Sequence, residues 1–114
     1  MQPKRRVLRY HERAMGGVLE AIDRDGLAEL CRRHGITRLA LFGSAVRGDL
    51  APDSDLDVLV EFVPGKRFGL RFITVQEELR ALLGRKVDLN TLAFLSPYFR
   101  DRVEAEAVPV YEAA

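Results

Sequence analysis

Gly43-Ser44-Ala45-Val46-Arg47-Gly48-Asp49-Leu50-Ala51-Pro52-Asp53-Ser54-Asp55-Leu56-Asp57 is the stretch whose reading decides the fold. One apolar run, Ile36 to Phe42, leads into it, and a second, Leu56 to Phe62, grows out of it. The local order is therefore strand, glycine turn, loop, strand. In an extended segment side chains alternate, which puts Asp55 and Asp57 on one side of the second strand and Leu56 with Val58 on the other. Two carboxylates sharing one small space are comfortable at neutral pH only with a cation between them. A hard divalent ion suits oxygen ligands, and Mg²⁺ in particular is held by one or two carboxylates while substrate phosphates complete its shell. Gly43-Ser44 offers those phosphates a seat. Glycine permits a sharp turn, amides at the start of a short helical turn attract anions, and the Ser44 hydroxyl adds a polar contact.

Gly43-Ser44, ten intervening residues and Asp55-Leu56-Asp57 resemble the signature of the DNA polymerase β nucleotidyltransferase superfamily. Arg47-Gly48 in the spacer, Ser54 before Asp55 and the short chain narrow the resemblance to the minimal nucleotidyltransferase family, whose members are the catalytic domain and little more. The resemblance implies an α+β, polymerase-β-like fold, a small mixed β-sheet flanked by helices. It also implies a third carboxylate on a neighbouring strand. Asp88 is the only acid between Glu78 and Asp101, so it is the residue expected to join Asp55 and Asp57 as a catalytic and metal-binding group and to accept a proton from, or align, the attacking hydroxyl. Mg²⁺ and a nucleoside triphosphate such as ATP are the implied cofactor and substrate, with Gly43 and Ser44 on the phosphates. Arg47 is read as a nucleotide-binding residue that reaches a phosphate, or else as a loop tie to Asp49 or Asp53. Asp49 and Asp53, beside Pro52 and Ser54, are left outside the catalytic set as turn-forming acids.

The rest of the chain reads as support. With 114 residues, 47% hydrophobic and 31% charged, it suits one domain with an adequate core. The expected boundaries are a basic N-terminal extension over residues 1–22 and a single nucleotidyltransferase domain over 23–114. The extension holds Lys4, Arg5, Arg6, Arg9 and Arg13 against Glu12 alone, either a solvated terminus or an arm for an acidic partner. A net charge of +1 speaks against direct nucleic-acid binding as the main role. One cysteine, Cys31, allows no internal disulfide, and no apolar run has the length of a signal core or a membrane span, so a cytoplasmic protein is expected.

Leu27, Leu30 and Cys31 recur at helical spacing between Asp23 or Asp25, available as N-cap, and Gly35, placed to stop the helix. His34 in its last turn is assigned to the helix end. Phe68, Phe72, Val75, Leu79 and Leu82 or Leu83 predict a second helix up to Gly84, its aromatics in the core. A short strand over 85–90 turns Val87 and Leu89 one way and Asp88 with Asn90 the other. A third helix starts at Ser96-Pro97 and runs to 107, and Pro109 gives the extended tail an edge or non-strand position.

The resemblance further implies the antitoxin half of a two-component system, paired with a HEPN-domain ribonuclease toxin that it neutralises by binding or by transferring AMP to a tyrosine. Nothing past the core is large enough to grip a nucleic-acid strand, so a hydroxyl on a partner protein is the expected acceptor. Two alternatives stand beside this: a non-catalytic module acting by complex formation, and a small-molecule transferase acting on an antibiotic such as an aminoglycoside. Self-association is left open.

Overall fold

The computed structural model describes residues 22–48, 50–51, 53–65 and 69–113. The predicted basic extension, apart from Ile22, lies outside the described residues, as do Asp49 and Phe68. Element order is α1 (Arg24–His34), β1 (Ile36–Phe42), α2 (Ser44–Arg47), β2 (Leu56–Phe62), α3 (Gly69–Leu83), β3 (Val87–Asn90), a 3₁₀ turn (Leu92–Phe94), α4 (Pro97–Glu106) and β4 (Val108–Glu112).

The four strands form one mixed sheet in the order β3-β2-β1-β4. β1 runs antiparallel to both β2 and β4, whereas β2 and β3 are parallel. A parallel pair needs a long crossover, and α3 supplies it. Pro109 sits on β4, an edge strand, where a missing N–H is tolerated.

Alternation along the strands sorts the core into two layers. Leu39, Leu41, Leu56, Val58, Val60, Val87 and Leu89 pack with Leu27, Leu30 and Cys31 of α1 and Val75 and Leu79 of α3. Ala40, Phe42 and Leu59 face the other way and meet Val103 of α4. Burial on both faces is what the continuous apolar run of β1 requires.

Local signals account for the helix ends. Asp23 accepts from the Gly26 N–H at 3.0 Å, and Gly35 closes α1 in the left-handed region at φ 66°. Ser96 occupies the cap position of α4 ahead of Pro97, but its side chain makes no capping hydrogen bond. His34 does more than serve its own helix end, because its Nε2 meets Glu78 of α3 at 2.8 Å. Phe72 is half-buried and packs edge-on against Phe94, with ring centroids 5.4 Å apart.

Candidate active site

The site lies on the sheet face that α4 only partly covers. β1 ends at Phe42, whose register partner on β2 is Asp57. On its other side, across the parallel pair, Asp57 is in register with Asp88 of β3. Even spacing along a parallel ladder places residues in register side by side, and both acids alternate with residues of the α1/α3 core layer. Asp88 and Asp55 are exposed, and Asp57, between Phe42 and Asp88, is half-buried. Asp55 immediately precedes β2.

The glycine turn approaches this acid pair from β1. Gly43 has φ 72° and ψ −142°, a conformation that a side chain rarely adopts. A Cβ at that position would fall onto Oδ2 of Asp57 and 3.1 Å from its Cγ. Gly43 is therefore required twice, by backbone conformation and by the carboxylate packed against it. Its carbonyl accepts from Val46 and Arg47 at 3.1 and 3.2 Å, which closes the first turn of α2 and leaves the amides of Ser44 and Ala45 without an acceptor inside the helix.

The charges are concentrated on Asp57. Burial pushes its carboxyl above the ordinary range, and the carboxylates of Asp88, Asp55 and Glu106 push in the same direction, while the Arg47 guanidinium pulls against them. Three further acids and one arginine around the half-buried Asp57 carboxylate form a site that gains from an added cation. Among the described residues, no three His, Cys, Asp or Glu side chains converge closely enough to enclose a metal unaided. The all-oxygen, anionic donor set suits Mg²⁺, which keeps water and phosphate oxygens as the remainder of its shell.

Among the described residues Arg47 has a partner that neither expectation named. Its described ion pair is with Glu106 at the end of α4, Nη1 to Oε1 3.4 Å, and the same oxygen accepts from the Gly43 N–H at 2.8 Å. Sequence reasoning missed Glu106, since a contact across 63 residues leaves no mark in local spacing. Arg85 was missed as well. Its Nη2 donates to the carbonyls of Ala51 at 3.0 Å and Ser54 at 2.9 Å, fixing the loop just before Asp55. Cys31 takes no part: it is fully buried in the core, and burial pushes its thiol up to about 12.

A strand–glycine turn–strand unit with acids meeting across parallel strands defines the polymerase-β-like class of nucleotidyltransferases. The chain belongs to the nucleotidyltransferase domain family, whose model matches residues 24–110. It is 48% identical over 84 residues to the protein adenylyltransferase MntA of Thermococcus cleftensis, a match covering 72% of this chain and 82% of that protein. A solved candidate minimal nucleotidyltransferase superposes with a TM-score of 0.65 at 41% identity, covering 75% of this chain and 87% of the other. A toxin–antitoxin structure with AMP-PNP superposes with a TM-score of 0.64, covering 81% of this chain and 75% of the other; at 20% identity it speaks for the fold alone. The chain is accordingly an enzyme of the nucleotidyltransferase type.

Proposed function

We propose that the chain is a Mg²⁺-dependent protein adenylyltransferase of the cytoplasm, the antitoxin partner of a HEPN-domain toxin, and that it transfers AMP from ATP to a hydroxyl of that partner. The observation that carries the reading is the register of Asp57 with Asp88 beside the Gly43 turn, a carboxylate pair packed against a backbone turn held at positive φ. Support for a protein acceptor comes from the name of the Thermococcus relative; the toxin partner is what the family resemblance implies, and a protein of the same fold occurs in a toxin–antitoxin structure.

In this reading Gly43 and Ser44 hold the β- and γ-phosphates through backbone amides and the serine hydroxyl. Asp55, Asp57 and Asp88 would hold Mg²⁺, which neutralises charge on the triphosphate and makes the α-phosphorus more electrophilic. Asp88, the most outward of the in-register pair, is placed to align the acceptor hydroxyl and take its proton. The hydroxyl oxygen attacks the α-phosphorus, pyrophosphate leaves, and the partner keeps AMP as a phosphodiester. Few side chains suffice because the reaction needs mainly positioning and charge neutralisation.

The test is incubation with Mg²⁺ and α-labelled ATP in the presence of a co-expressed helical partner. Label on the partner is the expected result. A stable complex that never takes label would make the chain an antitoxin by contact alone, and label only on an added aminoglycoside would make it a small-molecule enzyme.

A further inference from the structure

Glu106 is the last residue of α4, the end of a helix where a negative charge is disfavoured by the backbone dipole, and no basic residue in that last turn compensates it. Its carboxylate is instead held by two groups from elsewhere. Oε1 accepts from the Gly43 N–H at 2.8 Å and lies 3.4 Å from Nη1 of Arg47. The side chain is only 22% exposed, so it is lodged against the turn. Both donors belong to the stretch read above as the phosphate seat.

We infer that Glu106 is an affinity-setting residue of the nucleotide site, an internal anion that occupies the phosphate seat and competes with the terminal phosphates of the triphosphate for the Gly43 N–H and the Arg47 guanidinium. The inference rests on the assignment of Gly43, Ser44 and Arg47 to phosphate binding. A carboxylate and a phosphate oxygen ask for the same donors, and a triphosphate, with more charge and more acceptors, wins when it is present. When it leaves, Glu106 returns and keeps the two donors satisfied. Discrimination follows: a ligand that brings no β- and γ-phosphates has nothing with which to displace the carboxylate.

The experiment compares wild-type protein, Glu106→Ala and Glu106→Gln for binding of ATP, inorganic triphosphate and AMP by titration calorimetry, with a thermal melt to confirm folding. Glu106→Ala should bind ATP and triphosphate roughly tenfold more tightly, in line with loss of a charge-assisted competitor, and AMP unchanged. Glu106→Gln, which keeps an acceptor for Gly43 but offers Arg47 no charge, should fall between, and it carries the test if the alanine variant does not fold. Equal or weaker ATP binding by the variants, with wild-type binding intact, overturns the inference and leaves the phosphate seat standing. A uniform gain for AMP as well reduces the effect to surface charge and also overturns it. No binding of ATP or triphosphate by any of the three proteins overturns the phosphate seat itself.

Discussion

Gly43 and Asp57 occupy one volume: the space where a Cβ of residue 43 would stand is already filled by Oδ2 of Asp57. The turn and the acid were shaped together, so replacing the glycine strains both. In Gly43→Ala the backbone must leave φ 72° or the carboxylate must move, at a cost of about 1–3 kcal/mol for the backbone alone. Nucleotide transfer should fall by on the order of a hundredfold, and the melting temperature should drop with it. A variant that melts and reacts like wild type would mean that the turn relaxes freely.

Asp57→Asn should separate stability from activity. In the native protein the carboxyl of Asp57 is raised by burial and by Asp88, so stability is undiminished below the ordinary carboxylate range and declines as pH climbs through the folded value. At neutral pH and without Mg²⁺ the ionised group therefore works against the fold. Asn removes that charge, so the variant should melt above wild type in EDTA while transfer drops roughly a hundredfold or more. Thermal melts with and without Mg²⁺, alongside a labelled-ATP assay, read both. A variant that melts lower in EDTA would show that the Asp57 charge is compensated.

These two residues also mark how far the chain could be read in advance. Gly43, Ser44 and the alternation of Asp55 with Asp57 are local, and local geometry is written in short spacings. The strands follow from apolar runs, the mixed sheet is what the resemblance implies, and Pro109 does lie on an edge strand of that sheet. Asp88 is different, because a parallel register between strands separated by a whole helix has no sequence signature; only resemblance pointed to it. Glu106 and Arg85 had neither spacing nor resemblance to mark them. Both act on backbone groups of distant loops, and a backbone amide or carbonyl looks the same at every position in a sequence.

The staple between α1 and α3 predicts an acid limb. Burial pushes the Glu78 carboxyl up, but hydrogen bonds from His34 and Arg33 outweigh it and hold it below the ordinary range. A depressed carboxylate contributes its stability above the ordinary value, about 4.3, and loses it as pH falls through the folded one. The contribution is modest, below about 1 kcal/mol, because the Arg33 arm is half exposed. Glu78→Gln should melt slightly below wild type at pH 6 and level with it near pH 3. A gap of constant size across that range would assign the effect to packing.

Arg85 governs Asp55 from a distance. Its guanidinium holds the carbonyls of Ala51 and Ser54, and two residues on from Ser54 the Leu56 N–H donates to the Lys86 carbonyl at 2.9 Å, tying β2 to the start of β3. Asp55 lies between these two anchors, fixed on one side by the arginine and on the other by the parallel ladder. Arg85→Met keeps the apolar stem but releases both carbonyls, which water can satisfy in this exposed loop, so the fold should lose little. Asp55 should lose its place. The expected outcome is about a tenfold fall in kcat with a higher Mg²⁺ requirement and a nearly unchanged melting temperature, the pattern of a displaced ligand. Saturating Mg²⁺ should recover part of the rate, since a mobile carboxylate still binds when the ion is abundant. Wild-type kcat at every Mg²⁺ concentration would mean that the ladder alone sets the position of Asp55.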